Sequence, residues 1–306
     1  MVINLNKKDK RKNKLYGGIE GGGTKFVCGI GNENGDIIES VSIKTTTPEE
    51  TVMQIQELYK IGWKKYDLKK IGIGCFGPLD LDKGSKTFGY ITSTPKSGWQ
   101  FFNLRESLNK ALEKKIVLDT DVNAAALGEY FWGNGKGYND FVYITIGTGI
   151  GAGIMSNGKL IHGLMHPEVG HILIPDEKIL EGFDGVCPYH KRCLEGLASG
   201  PAIKTFWKEN IENLPLTHPA WEAESSILAY GLVNIILTVS PKRIILGGGV
   251  MEQKNLFNKI RNKTASLLNG YIQKDEVSKS INDFIVPAGL GKNAGLLGAI
   301  ALAIID

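Results

Sequence analysis

The chain has 306 residues, room for one large domain or two ordinary ones, and its 42% hydrophobic and 22% charged residues are the profile of a soluble globular protein. The net charge of +4 is concentrated in the first fourteen residues, which hold six Lys or Arg and one Asp; the rest is close to neutral, so nothing in it asks for a nucleic acid or another polyanion. No apolar run follows that could be a signal-peptide core, and no stretch reads as a membrane span, so a cytoplasmic protein with a basic flexible tail at 1–14 is expected, and no membrane partner.

Residues 16–19 are short, apolar and followed by Gly21, Gly22, Gly23 and Thr24, which predicts a strand entering a tight turn. Residues 26–30 read as the returning strand and 36–43 as a third, an antiparallel meander with glycine at its tip. Helical spacing over 49–66 places Val52, Ile55 and Leu58 on one face. Buried strands follow at 71–74, ending at Gly77 and Pro78, and at 116–118, ending in Asp119, Thr120 and Asp121; a helix begins near Asn123.

The pattern then restarts. Residues 141–146 form a strand, Gly147, Thr148, Gly149 and Gly151 a second glycine turn, and Ile154 and Met155 lie on the returning strand before an Asn157-Gly158 hairpin turn. A long helix over 221–239, a strand over 244–246 stopped by Gly247, Gly248 and Gly249, and a final helix over 294–304 complete the chain. Two units of strand, Gly/Thr turn and strand, mixed with helices, predict α/β architecture.

Glycine turns let backbone amides approach phosphate oxygens without Cβ interference, and Thr24, Thr148 and Lys25 add hydroxyl donors and charge. A dinucleotide-binding fingerprint would need a helix directly after the glycines, whereas both turns lead into strand-like residues; a Walker P-loop is absent. Paired hairpins are therefore expected to hold a nucleotide. Asp121, at the end of an apolar strand, reads either as a carboxylate projecting into a cleft or as the cap of the following helix. Asp119 shares its strand parity and is a support residue. Among four cysteines, Cys28 and Cys75 sit singly in strand-like runs as buried thiols, while Cys187, His190 and Cys193 form C-x2-H-x2-C, a spacing that points to metal.

Nearly the whole chain, from about Leu15 onward, resembles the ROK family of sugar kinases and repressors, and within it the bacterial-type fructokinases. The residues that carry the resemblance are GGIEGGGTKFVCGIG at 17–31, GPLDL at 77–81, TPKSGW at 94–99, DTDVNAAALGE at 119–129 and TIGTGIGAGI at 145–154. They continue with HPEVGHILIP at 166–175, CPYHKRCLEGLASGPAI at 187–203, RIILGGGVM at 243–251 and AGLLGAIALA at 294–303. The resemblance implies an actin-like, ribonuclease-H-like sugar-kinase fold of two domains around a cleft, here 15–122 with 292–306 and 123–291. It implies ATP with Mg²⁺ in that cleft, the nucleotide region mapping onto Thr24, Thr148, Pro201, Gly247, Gly248 and Gly249, together with the two glycine turns Gly22, Gly23, Lys25 and Gly147, Gly149. The first turn departs from many actin-like kinases in carrying Glu20 in place of Asp.

By the same resemblance Asp121 is the general base that accepts the proton of the attacking hydroxyl, and Glu168, His171 and Glu195 bind the hexose; Gly77 and Asn123 are expected to line the same pocket. Zinc in a structural site takes four ligands. His171 is the fourth by resemblance to zinc-containing members, with His166 and His162 as rivals that sequence distance does not separate. The commoner family pattern uses three cysteines, and His190 replaces one. The 94–99 and 187–193 segments favour fructose over mannose, glucose or N-acetylmannosamine. A repressor of the same family would need an N-terminal DNA-binding domain, for which some fifteen residues before the first turn are too few; a sugar sensor without catalysis would have no use for Asp121 and two phosphate turns. A homodimer is the family's habit, and closure of the domains over substrate is expected of the fold.

Overall fold

The strand–turn–strand pattern occurs twice, and each copy seeds one five-stranded sheet. The computed structural model describes residues 14–305, so the basic tail expected at 1–14 lies, except for Lys14, outside the described residues. In the first half, β1 (Leu15–Gly21) and β2 (Lys25–Asn32) pair antiparallel with Gly21 opposite Phe26, and β3 (Ile37–Lys44) extends the meander. Helix α1 (Pro48–Glu57) is capped by the Thr47 hydroxyl and has Pro48 in its first turn, where no amide donor is needed. Strand β4 (Leu68–Cys75) then runs parallel to β1, and β5 (Ile116–Thr120), reached through α2 (Leu104–Leu112), runs parallel to β4. The sheet order is β3-β2-β1-β4-β5.

Helix α3 (Asp121–Trp132) leads to β6 (Phe141–Ile146), β7 (Ile150–Ser156) and β8 (Lys159–Leu160), the last two joined by Asn157 and Gly158, both at positive φ. After α4 (Leu194–Ala198), α5 (Gly200–Trp207) and α6 (Ala220–Val239), β9 (Ile244–Gly247) pairs parallel with β6. Helices α7 (Asn255–Leu268), α8 (Asp275–Ser278) and α9 (Ile281–Phe284) precede β10 (Ile285–Pro287), parallel to β9, and α10 (Ala294–Ile305) closes the chain. Read from β8, the second sheet runs β8-β7-β6-β9-β10, the order of the first sheet. The internal repeat, faint in the letters, is complete in the topology.

Two details differ from the sequence reading. The helix expected over 49–66 is α-helical only to Glu57, then widens into a π turn over Leu58–Gly62. Its buried stripe is Thr51, Ile55 and Tyr59, with Val52 and Leu58 half-buried beside it. The Tyr59 hydroxyl reaches the sheet, within 2.8 Å of Gly18 O and 3.0 Å of Gly29 O, and that long-range anchor leaves no mark in a local periodicity. Second, α6 is long and apolar enough to cross a membrane by length and composition, contrary to the expectation that no stretch is; more than half of it is buried inside the protein, which marks it as a core helix.

One core lies between the first sheet and α1 and α2; another joins β6, β7 and β9 to the helices that follow them. Between the sheets lie α3 and α10, packed on each other, with α10 also covering β1 and β4 and α3 also covering β7. Helix α10 is buried at every position from Ala294 to Ala303, as a helix with protein on all sides must be. The two helices approach so closely that a Cβ on Gly298 would overlap the carbonyl of Ala124. Gly298→Val is therefore expected to lower stability by about 2–3 kcal/mol through overpacking, read as a lower urea midpoint in equilibrium unfolding.

Candidate active site and metal centre

Thr120, not Asp121, caps α3: its hydroxyl accepts from Asn123 N at 3.1 Å. The helix therefore starts at Asp121, two residues before the expected start, and the Asp121 carboxylate is left for the cleft, accepting from Val122 N at 2.9 Å and from its own amide. Burial lifts its pKa to about 6 against the amide bonds that lower it. Because α3 begins at Asp121, the strand parity expected between Asp119 and Asp121 ends at Thr120. Asp119 is buried and supports the site from behind: Oδ1 accepts from Asn123 Nδ2 at 2.7 Å, and Oδ2 lies 2.9 Å from His162 Nε2. Asn123 is buried, and its Oδ1 is an acceptor with no partner among the described residues.

Three further carboxylates share this space. Burial, then the charge of Asp121, raises Glu20 to about 7, with Lys25 and the Leu296 amide pulling it down. Burial, then Glu195 and Asp121, raises Glu168 to about 7. Glu195 accepts from Ile150 N at 2.9 Å, which ties the loop after Cys193 to the strand leaving the second glycine turn. Four carboxylates in one cleft repel one another, and hydroxyl donors, protons or a bound cation relieve that repulsion.

The three histidines considered for the metal separate cleanly. His166 is buried, accepts at Nε2 from Leu79 N (3.1 Å) and meets Glu168 Oε1 with Nδ1 (3.3 Å), joining the Gly77–Pro78 segment to the loop that carries Glu168. His162 pairs with Asp119 and Asn123, and the Asp119 bond raises its pKa. His171 alone faces the cysteines: Nδ1 is 3.7 Å from Cys187 Sγ and 3.5 Å from Cys193 Sγ, and His190 Nδ1 is 3.8 Å from Cys187 Sγ. The ligand atoms of His171, Cys187, His190 and Cys193 all lie within 4.8 Å of one another, a cluster able to hold a metal ion. The second nitrogen of His171 faces Glu168 Oε2 at 3.9 Å, because a single 3-10 turn, Val169–His171, brings Glu168 and His171 to one side.

The carbonyls of both glycine turns are tied back. In the first, Gly22 O accepts from the Thr45 hydroxyl (2.7 Å), Gly23 O from Lys96 Nζ (2.6 Å) and Thr24 O from Thr45 N (3.0 Å). In the second, Gly147 O accepts from Gly200 N (2.8 Å) and Gly149 O from Gly147 N (2.9 Å). The amides of Gly23, Thr24, Thr148 and Gly149 find no acceptor among the described residues, the arrangement an anion site requires. Pro201 stands beside the second turn through Gly200, in the first turn of α5. Gly248 has φ +91° with Ile146 O where a Cβ would sit, so no other residue fits there.

Gly247, Gly248 and Gly249 line a cavity of about 360 Å³ with Glu20, Tyr143, Gly291 and Lys292 in the turn before α10, and Ala294 and Gly295 at its start. Sequence reasoning missed the α10 side of this cavity; the only signal was the glycine pair in AGLLGA at 294–299. It also missed the bridging roles of His162 and His166, which rest on contacts 43 and 87 residues apart. A larger cavity, about 1080 Å³, runs outside the first sheet along 115–119 and 79–83; Asp119 and His162 line it, but none of the residues expected to bind sugar or nucleotide does.

Comparison with known proteins places this geometry. The model of the ROK family matches residues 16–305. A fructokinase of Pediococcus pentosaceus is 41% identical over 94% of this chain and 97% of its own length, and a fructokinase of Zymomonas mobilis (strain ATCC 31821 / ZM4 / CP4) is 41% identical over 96% and 98%. Among solved structures, a ROK family glucokinase from Streptomyces griseus in complex with glucose and AMPPNP superposes with TM-score 0.79 at 26% identity, over 95% of this chain and 100% of that one.

Elemental analysis of the purified protein is expected to find one bound transition-metal ion per chain, lost in Cys187→Ser and His171→Ala and retained in His162→Ala and His166→Ala.

Proposed function

The chain belongs to the ROK family, and on that premise we propose that it transfers the γ-phosphoryl group of ATP to a hexose, D-fructose first, giving fructose 6-phosphate. Its fold is the actin-like ATPase and sugar-kinase fold. The observation that carries the reading is Asp121, a half-buried carboxylate raised to about 6 between two glycine turns with outward amides and a buried polar pocket.

In this reading the hexose lies against Asn123, Gly77, Glu168, His171 and Glu195. The unpartnered Oδ1 of Asn123 accepts one hydroxyl and the carboxylates accept others, which turns their mutual repulsion into selectivity for a polyol. The phosphate tail lies on the free amides of Gly23 and Thr24 and of Thr148 and Gly149, in turns closed by the amides of Gly22 and Gly147, with Lys25 adding charge; the nucleoside occupies the cavity at Gly247, Gly248 and Gly249. Asp121 takes the hydroxyl proton as the sugar oxygen bonds to phosphorus and the bond to the β–γ bridging oxygen breaks. A base with pKa near 6 is ionised at neutral pH yet basic enough to share a proton in transit.

Mg²⁺ fits the oxygen donors of Glu20 and Asp121, whose mutual repulsion a divalent ion removes, and would neutralise phosphate charge there. Zinc fits the other cluster. Bonds of about 2.3 Å to sulfur and 2.1 Å to nitrogen give tetrahedral S···N edges of about 3.6 Å, and the closest S···N distances are 3.5, 3.7 and 3.8 Å. His171 would then hold zinc with Nδ1 and face Glu168 with Nε2, so the metal fixes the sugar loop and takes no part in the transfer. We take residues 15–122 with 292–306 as the first domain and 123–291 as the second.

Fructose is preferred because the two fructokinases are much nearer in sequence than the glucokinase. A panel of fructose, mannose, glucose and N-acetylmannosamine with ATP is expected to give the highest kcat/KM for fructose. Asp121→Ala is expected to lower kcat by about 10³-fold. A preference for another hexose overturns the substrate, and near-normal turnover of Asp121→Ala overturns the mechanism.

A further inference from the structure

The segment TPKSGW at 94–99, read above as a mark of the fructokinase branch, is anchored to the first sheet at several points. Trp99 is fully buried, donates from Nε1 to Thr46 O at 2.9 Å, stacks on Phe26 (5.6 Å between centroids, 23°) and meets Phe76 edge-on (5.4 Å, 70°). Phe26 follows directly on the first glycine turn, so the anchor of the loop and the base of the turn are one packed unit. Thr94 is buried and its hydroxyl accepts from Lys96 N at 3.3 Å. On the far side, the Tyr189 hydroxyl, from the metal loop, donates to Ser93 O at 3.1 Å.

Between these anchors Lys96 is half-buried and turns its ammonium onto Gly23 O at 2.6 Å. A surface lysine ordinarily extends into water or toward a carboxylate. This one forms no ion pair among the described residues, whereas the charge of Lys25 acts on Glu20. One of three ammonium donors is used on Gly23 O. The surface at Gly23 is open, with no atom within 4 Å of where a Cβ would stand. The two remaining donors and the free amides of Gly23 and Thr24 thus belong to one turn.

We propose that Lys96 is a catalytic residue that binds the transferring phosphoryl group, an inference that rests on the kinase reading above. As the sugar oxygen bonds to the γ-phosphorus, the bond to the β–γ bridging oxygen breaks, the electron pair leaves with ADP and the hydroxyl proton passes to Asp121. The ammonium on the Gly23 turn offsets the negative charge of the phosphoryl oxygens during that exchange. Its hydrogen bond to Gly23 O aims it, and the Trp99 anchor fixes where it is aimed from.

The test compares wild type, Lys96→Gln and Lys96→Arg with ATP and fructose. Glutamine can still donate to the Gly23 carbonyl but carries no charge; arginine keeps the charge. Lys96→Gln is expected to lose about 10²-fold or more in kcat, with fructose affinity (measured by calorimetry) and thermal midpoint close to wild type, while Lys96→Arg recovers at least a tenth of the activity. Lys96→Gln turning over at the wild-type rate shows that the side chain only braces the turn and overturns the inference while leaving the kinase reading intact. Wild-type protein that transfers no phosphoryl group to any hexose overturns both.

Discussion

The close crossing of α3 and α10 is the contact on which the site depends. Each helix belongs by packing to a sheet, and each begins at the cleft: α3 with Asp121, α10 with Gly295 against the Glu20 side chain and the Leu296 amide on its carboxylate. The overlap of Gly298 with the Ala124 carbonyl leaves no room for a side chain between the helices. Two helix N-termini are thereby brought to two carboxylates at one end of the first sheet, Glu20 at the end of β1 and Asp121 just past the end of β5, which the intervening strand β4 separates. The positive ends of the helices partly offset the cost of keeping those carboxylates out of water.

That cost persists. Glu20, Asp121 and Glu168 all have raised pKa values, with burial the first cause in each. An arrangement selected for stability alone would pair or remove such groups. Keeping three of them around a space lined by a buried, partnerless amide oxygen and by outward-facing turn amides makes sense only if substrate supplies the missing partners. The metal cluster extends the same logic outward, since His171 stands between the thiols and Glu168, and His166 between Glu168 and Leu79.

Features written in local spacing were legible in the sequence. Both glycine hairpins, the long helix later seen as α6 and the C-x2-H-x2-C loop were predicted, because alternation, helical period and ligand spacing are short-range properties. The repeat was visible as a pattern of turns and became exact as sheet order. What escaped was long-range. Glu168 and His171 showed no helical period because a lone 3-10 turn has none to show. Spacing alone did not separate three histidines as the fourth ligand, and only the resemblance pointed to His171; in the fold Asp119 and Leu79 hold the other two. Asp121 could not be told from a cap until Thr120 took that role. The α10 wall of the cavity at Gly247, Gly248 and Gly249 and the bond of Lys96 to Gly23 O depend on residues far apart in the chain.

The claim at the centre is that a half-buried Asp121 with a raised pKa receives the proton. The most direct measurement is kcat/KM for the hexose against pH, between about pH 5 and pH 8, for wild type and Asp121→Asn. The account predicts an acid limb in wild type with its midpoint near 6, activity falling as Asp121 is protonated, and a residual rate in the variant that lacks this limb. A wild-type profile flat through that range, or the same limb and rate in the variant, would contradict it.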